Sequence, residues 1–197
     1  MSNSLLKWAM AAVATGFTVL PTHAQNIPEL NAEQKDQIRQ IVTKDLGFTP
    51  KKTKHRVLVF WKTEGFVHHH GIAGCNEAIR TMAQLTGAFS ADFSNDYEDL
   101  RAEKLKQYDA VVLNNTTQLK TREHDFIVSG LIDFVKSGKG LAVMHAGADN
   151  FYDAPEAAEM VGGRFWGHPW GSGGTWAFHL DDAGNAQAVG GEVNSHF

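Results

Sequence analysis

Short apolar runs recur along the chain at the spacing of a layered α/β protein. Residues 56–61 form a continuous apolar run, rich in β-branched side chains, that is typical of a strand covered on both faces of a parallel sheet. The pattern predicts further strands over residues 88–93, 109–114 and 140–144. These four segments are the candidate core strands.

Amphipathic segments lie between the predicted strands. Apolar residues recur at helical spacing over residues 72–83 and 126–135. An earlier helix is predicted over residues 31–45, because Asn31 and Gln34 have the spacing of a capping box. Helices that alternate with strands predict an α/β domain whose mostly parallel sheet carries helices on both faces.

The first 24 residues have the layout of a secretory signal peptide. Lys7 lies in a short amino-terminal region, residues 8–20 are mostly apolar, and a cleavage site follows at Ala24. The apolar stretch is shorter than the roughly 20 residues that a bilayer-spanning helix needs, so no membrane span is expected after cleavage. We therefore expect a periplasmic or secreted protein. Its segments would be a signal peptide over 1–24, a helix and basic linker over 25–55, and an α/β domain over 56–197.

Composition argues against several classes of function. The 197 residues carry a net charge of −4, so the basic field that supports nucleic-acid binding is missing, and the basic run at 51–56 is expected to be a linker. The single cysteine, Cys75, cannot form an intramolecular disulfide, and its place on an apolar helical stripe is typical of a small buried residue. The fold must therefore depend on an apolar core.

Polar residues follow three of the predicted strands. A histidine triplet at residues 68–70 comes after the first strand, Asn115 after the third, and His145 and Asp149 after the fourth. The carboxyl ends of parallel strands form the ligand-binding edge of an open sheet. We therefore expect these side chains to converge on one functional site.

The histidine triplet is a candidate set of metal ligands. Alternate residues of an extended loop share a face, which would put two imidazoles of the triplet on one side. Imidazole is a common ligand of zinc and similar divalent metals. The alternative is an exposed polar loop with one structural histidine, because no stronger ligand spacing accompanies the triplet.

His145 directly follows an apolar strand and precedes Ala146-Gly147-Ala148-Asp149. This order predicts the tight strand-to-helix turn in which other α/β enzymes hold a nucleophile. The alternative for His145 is a histidine packed beneath the next loop. Asp149 would either cap a following helix or orient an imidazole.

A glycine-rich region with several aromatic side chains follows. Tyr152 and Trp166 have apolar faces suited to packing against a sugar ring, and His168 is placed to reach back toward the strand ends. The alternatives are ordinary packing and a surface turn. No nucleotide-binding signature and no G-x-S-x-G elbow occurs in the sequence, so neither a nucleotide cofactor nor a serine nucleophile is predicted.

Together these segments resemble the ThuA-like, or trehalose-utilisation, family. The similarity extends over residues 56–182. It includes Gly-Phe-Val-His at 65–68, Asn-Thr-Thr at 115–117, Met-His-Ala-Gly-Ala-Asp at 144–149 and Gly-His-Pro at 167–169. Each motif alone is weak, and their combination is fairly specific.

The resemblance implies a flavodoxin-like three-layer sandwich related to class I glutamine amidotransferases, and a role in bacterial sugar utilisation. Those amidotransferases carry a cysteine at the strand-end elbow, where this chain has His145, so glutamine hydrolysis is not expected. Some family members resemble metal-binding proteins. The similarity also extends to His68, Asp149, Tyr152 and His168. Family members usually continue further, so we expect the domain to be incomplete at its C-terminus.

The leading hypothesis is an enzyme that acts on a sugar or keto-sugar glycoside. His68 and His145 would act as general acid and base, or would hold one divalent metal such as zinc together with His168, and Asp149 would orient an imidazole. The residues expected to hold the substrate are Asn115, Tyr152, Trp166 and His168. The alternatives are a non-catalytic saccharide-binding module and an inactive truncated fragment.

Overall fold

A computed structural model describes residues 26–43, 54–167, 178–180 and 186–188. The elements occur in the order α1 (Ala32–Thr43), β1 (His55–Phe60), α2 (His69–Thr86), β2 (Phe89–Ser94), α3 (Ala102–Leu105), β3 (Ala110–Asn114), α4 (Phe126–Lys136), β4 (Gly140–Met144), α5 (Pro155–Val161), β5 (Phe178–Leu180) and β6 (Ala186–Ala188). Two 3₁₀ turns lie at Tyr97–Leu100 and His145–Ala148. The signal-like segment and His168 are outside the described residues.

The main sheet has four parallel strands in the order β2-β1-β3-β4. This confirms the predicted α/β class, and each strand lies within one residue of its predicted position. The described part of the chain also has a separate antiparallel pair, β5 with β6. The strand order is that of a flavodoxin-like sheet. β2 is added on one side of β1, and β3 and β4 are added on the other side, so the topological switch point lies between β1 and β3. In sheets of this kind, ligands generally bind at the switch point, beyond the carboxyl ends of the strands.

Different helices cover the two faces of the sheet. Leu58 and Phe60 of β1 and Val111 and Leu113 of β3 are buried in the larger part of the core, which includes residues of α3, α4 and α5. Val59 points to the opposite face because strand side chains alternate, and it is fully buried on the side of α2. None of the described helices combines the length and apolar character needed to span a bilayer.

The predicted capping box starts α1. The Gln34 backbone N–H donates to Asn31 Oδ1 at 2.9 Å, and the Asn31 backbone N–H donates to Gln34 Oε1 at 2.9 Å. The two side chains thereby satisfy two backbone donors that lack partners within the helix. α1 then packs against α2.

The prediction of an extended histidine triplet is wrong. His69 and His70 form the start of α2, and the Ile72 backbone N–H donates to the His68 carbonyl at 2.9 Å. Successive side chains of an α-helix are rotated by about 100°, so neighbouring imidazoles do not share one face. His68 is the residue immediately before the helix and is half-buried, whereas His69 and His70 are exposed; all three line the same cavity.

Candidate functional site

Three strand ends bring His68, Asn115 and His145 together. His68 follows β1, Asn115 follows β3, and His145 follows β4. The imidazole rings of His68 and His145 pack edge to face, with centroids 4.6 Å apart and an interplanar angle of 84°. His145 Nδ1 lies 2.8 Å from Asn115 Oδ1. The predicted convergence at the carboxyl edge therefore includes both histidines and one amide.

The backbone turns sharply at Asn115 and at His145. Their φ angles are +51° and +50°, in the left-handed region that most side chains avoid. The Asn115 backbone N–H also donates to the Met144 carbonyl at 3.2 Å, which ties the two turns together. This geometry points the side chains of neighbouring strand ends at each other.

Two cavities share His68 and His145 in their walls. One, of about 570 Å³, extends over the start of α2 and includes Cys75 and Met144. The other, of about 580 Å³, is bounded by Phe66, Asp149 and Phe165, with Arg164 at its edge. Each volume is in the range of small-molecule sites. The two imidazoles are therefore accessible from both sides.

His68 is held in its neutral form to lower pH than an ordinary histidine. Burial lowers the pKa of His68, and the nearby His145 lowers that pKa further, whereas the carboxylate of Asp149 acts in the opposite direction. Partial desolvation penalises the charged imidazolium, as does a second imidazole that can become charged. His68 thus supplies a neutral imidazole near neutral pH.

Asp149 is linked to the segment that closes the second cavity. The Tyr152 hydroxyl donates to the Asp149 carboxylate, and it also lies 2.9 Å from the Phe165 carbonyl oxygen. Burial, followed by the interaction with Asp149, raises the pKa of Tyr152 to about 12, so the phenol stays protonated. The Arg164 guanidinium lies 5.3 Å from the centre of the Tyr152 ring. Asp149 is thus engaged with Tyr152, and among the described side chains the hydrogen-bond partner of His145 is Asn115.

The sequence profile of the ThuA family, described as "Trehalose utilisation", matches residues 56–193. The chain belongs to this family. A crystal structure of a ThuA-like protein from Bacteroides uniformis ATCC 8492 has the same fold, with a TM-score of 0.53 at 19% sequence identity. The alignment covers 71% of this chain and 56% of that one. No curated protein matches the chain.

ThuA-family membership supports a role related to trehalose utilisation. The family resemblance found in the sequence motifs is confirmed by the profile. His145 follows the end of β4, as the sequence pattern predicted. Cys75 lies on a different element, α2, and burial raises the pKa of its thiol. A raised thiol pKa opposes formation of a nucleophilic thiolate.

The remaining predicted site residues of this ThuA-family chain have different surroundings. Tyr152 is 46% exposed and contacts the site through Asp149 and Phe165. Trp166 is 90% exposed and is not among the residues that line the two cavities. His168 lies outside the described residues.

A metal site is not completed by the described residues. Within residues 26–43, 54–167, 178–180 and 186–188, no three His, Cys, Asp or Glu side chains converge as a ligand set. A catalytic zinc ion usually takes three protein ligands. His68 and His145 supply two imidazoles, with ring centroids 4.6 Å apart. The described donor set alone therefore does not fit a catalytic zinc ion.

Three residues of the site were assigned no role from the sequence. Asn114 is the last residue of β3 and is fully buried. A polar residue at the end of an apolar strand was the sequence feature that could have indicated its role. Phe66 belongs to the Gly-Phe-Val-His motif and lines the second cavity, although 71% of its surface is exposed. Arg164 had no local signal, because its place at the cavity depends on the contact with Tyr152.

Proposed function

We propose that the protein is an enzyme of carbohydrate utilisation that cleaves a keto-sugar glycoside, with His145 as the general base and acid. The observation that carries the proposal is the packing of His145 against His68, with a cavity on each side. Family membership supports the sugar class. Imidazole suits proton transfer near neutral pH because its ordinary pKa lies close to 6.5.

The chemistry follows from what an imidazole base can do to a sugar. A ring carbonyl acidifies the adjacent C–H bond, so His145 Nε2 removes the proton from the carbon between the carbonyl and the glycosidic carbon. The electron pair of that bond forms a carbon–carbon double bond, and the glycosidic C–O bond breaks. The imidazolium of His145 returns the proton to the departing oxygen, which gives an unsaturated keto-sugar and a free alcohol. General acid–base catalysis of this kind contributes roughly 10²- to 10⁴-fold in rate.

His68 supports this step as a second, neutral imidazole. Its lowered pKa keeps it uncharged beside His145, so it does not oppose formation of the His145 imidazolium. A neutral ring N–H of His68 is suited to donating to the carbonyl oxygen as negative charge develops there. The charge of Asp149 raises the pKa of His68 and so partly offsets the lowering by burial and by His145.

Aromatic side chains at the second cavity suit the apolar face of a sugar ring. Phe66 and Phe165 line that cavity and keep 71% and 42% of their surface exposed. Sugar rings present C–H faces that pack on aromatic rings, and polar groups at the edge fix their orientation. Arg164 and the Asp149–Tyr152 pair provide such polar groups. Tyr152 and Trp166 remain proposed substrate contacts at the outer edge.

The proposal is tested with the full chain, trehalose, and trehalose oxidised on one ring to a ketone two carbons from the glycosidic carbon. We expect release of glucose from the keto-sugar and none from trehalose. In D₂O, deuterium should appear in recovered keto-sugar at the carbon between the carbonyl and the glycosidic carbon. Absence of both glucose release and deuterium exchange would overturn the proposed reaction.

Metal binding by His68, His145 and His168 is kept as a separate proposal. Imidazole nitrogens are the ligand type that zinc prefers, and two of these three residues lie together. Metal analysis of the purified chain, before and after chelation, decides it. A bound divalent ion that is lost in His145→Gln supports metal binding, and a metal-free protein with full turnover contradicts it.

A non-catalytic saccharide-binding module is the second candidate function, favoured by the exposure of Phe66 and Trp166. This candidate predicts saturable binding of trehalose or its keto derivative without product. Binding would then weaken in Phe66→Ala or Trp166→Ala and persist in His145→Gln. Calorimetric titration of the three variants separates the module from the enzyme.

We propose an extracytoplasmic location from the signal-like residues 1–24. Fractionation of cells that express the full chain tests it. Mature protein that begins after Ala24 in the periplasm or medium supports the location. Full-length chain retained in the cytoplasm contradicts it.

A further inference from the structure

We propose that Asn114 and Asn115 are positioning residues that fix the tautomer of His145. Through a chain of hydrogen bonds they place the proton on Nδ1 and leave the Nε2 lone pair free. The inference deepens the proposed function, on which its catalytic meaning rests, because it explains which nitrogen acts as the base. The hydrogen bonds run from α2 through the end of β3 to the elbow after β4.

The donor-to-acceptor direction of this series of hydrogen bonds is set at its buried end, at Asn114. Asn114 Nδ2 donates to the Ile72 carbonyl at 3.2 Å and to Asn76 Oδ1 at 2.9 Å. A backbone carbonyl can only accept, so the amino group of the Asn114 amide must face Ile72. The Asn114 carbonyl oxygen therefore faces the other way, toward Asn115.

The next two links follow from the first. Asn115 Nδ2 donates to Asn114 Oδ1 at 2.7 Å, so Asn115 Oδ1 is the atom that faces His145. That oxygen can only accept, and it lies 2.8 Å from His145 Nδ1. A neutral His145 must then carry its proton on Nδ1, and Nε2 is the nitrogen with a free lone pair.

Burial makes this orientation costly to reverse. Asn114 and Asn115 are 0% and 3% exposed, so little water is available to replace their hydrogen-bond partners. Reversing either amide would face like groups and leave buried donors and acceptors unpaired. The start of α2 also confines Asn115, since a Cβ atom at Gly71 would lie 3.1 Å from Asn115 Oδ1. Two neutral amides, those of Asn114 and Asn115, thus determine which nitrogen of His145 carries the proton.

An amide has a different effect from a carboxylate at this position. A carboxylate on Nδ1–H stabilises the imidazolium and raises the histidine pKa, whereas an amide oxygen orients the ring without adding a negative charge. Asparagine also tolerates the left-handed backbone at residue 115 better than most residues. Asn115 is thus a positioning residue by its geometry, and it also lines the first cavity, so the predicted substrate contact stays a prediction.

The test is the ¹⁵N NMR signature of the His145 ring in the full chain, assigned by its loss in His145→Gln. In the wild type we expect a protonated Nδ1 and an unprotonated Nε2. Asn115→Ala should move the ring toward a mixture of tautomers and lower kcat about 10- to 100-fold with a smaller change in KM. Asn115→Asp keeps an acceptor oxygen facing Nδ1 and should therefore keep the Nδ1–H tautomer.

Asn150→Ala is the matched control. Asn150 is also buried and holds the same region, donating to the Thr116 and Gly147 carbonyls, but its hydrogen bonds do not involve His145. We expect a lower melting temperature and an unchanged tautomer. A wild-type ring protonated on Nε2 would overturn the inference, as would a folded Asn115→Ala whose ring spectrum is unchanged. Because the wild-type spectrum needs no turnover, the tautomer can hold even if the proposed reaction fails.

Discussion

The imidazole rings of His68 and His145 meet edge to face across the end of β3, although they follow strands that are not neighbours in the sheet. Asn115, at the end of the intervening strand, holds one of the two rings. Three separate strand-to-helix connections therefore contribute to one site. Their relative position depends on the parallel register of β1, β3 and β4.

The ionisation of His68 should respond in opposite directions to changes at its two neighbours. His145→Gln removes a group that lowers the pKa of His68, so that pKa should rise. Asp149→Asn removes the carboxylate that raises it, so the pKa should fall further. An NMR titration of His68 measures both changes. Two shifts of the same sign would contradict the electrostatic account.

The lowered pKa of His68 also predicts how stability depends on pH. As the pH falls, the unfolded chain protonates this residue first, at the ordinary histidine pKa, because the folded chain resists the charge. The unfolded state binds more protons in that window, so the free energy of unfolding drops on acidification. Denaturant titrations at about pH 8 and about pH 5 should show a smaller drop in His68→Gln than in the wild type. An equal drop in the free energy of unfolding in both proteins would show that His68 does not contribute to the pH dependence of stability.

Gly147 is predicted to be essential for the elbow that carries His145. A Cβ atom at residue 147 would lie 2.7 Å from the Leu113 carbonyl oxygen and 2.8 Å from Val143 Cγ1. Gly147→Ala should therefore lower the free energy of unfolding by about 1–3 kcal/mol, the usual cost of overpacking. Gly74→Ala is the matched control, because it lies within α2 and a Cβ there meets nothing within 4 Å. Removing a helical glycine should stabilise by about 0.5–1 kcal/mol.

Thermal and denaturant unfolding of the two glycine variants give the comparison. The prediction fails if Gly147→Ala is as stable as Gly74→Ala. Turnover should fall in Gly147→Ala even where the chain stays folded. Relief of the clash with Leu113 shifts the turn at 145–148, and His145 moves with it.

Tyr152→Phe should affect substrate binding more than folding. The hydroxyl connects Asp149 with the Phe165 carbonyl, and the residue is 46% exposed, so its loss should cost about 1 kcal/mol of stability at most. Without this link, the segment that carries Arg164 and Phe165 is held less firmly against the second cavity. We therefore expect KM to rise several-fold with a smaller change in kcat. Steady-state kinetics on the keto-sugar measures this.

Tyr108→Phe is the control for loss of a tyrosine hydroxyl. Tyr108 is buried just before β3, at the amino end of the sheet and away from the histidines. Its substitution should leave KM unchanged. An equal rise of KM in both variants would show that the effect is not specific to the site.

Local patterns were sufficient to predict the strands and the start of the first helix. The β1 run and the Asn31–Gln34 capping box depend on residues that are close in sequence, so burial and backbone hydrogen bonding follow directly from them. The position of His145 at the end of β4 was predictable for the same reason.

The contacts within the site join distant residues, and two helical features had too weak a local pattern to be predicted. The Asn115–His145 hydrogen bond joins two loops, and no local pattern reveals an amide partner for an imidazole. The start of α2 was misjudged because its apolar stripe begins only at Ile72, although the helix already includes His69 and His70. The short helix α3 was missed, since four residues are too few to show a helical period.

Turnover of the keto-sugar by His145→Gln tests the central claim most directly. The measurement compares kcat/KM for wild type, His145→Gln and His55→Gln, each shown to be folded by its melting temperature. His55 serves as the control because it lies at the amino end of β1, opposite the site. We predict that His145→Gln loses at least about 100-fold in kcat/KM, the lower range for a general acid–base residue, while His55→Gln is unchanged. A folded His145→Gln that keeps wild-type turnover would contradict the account.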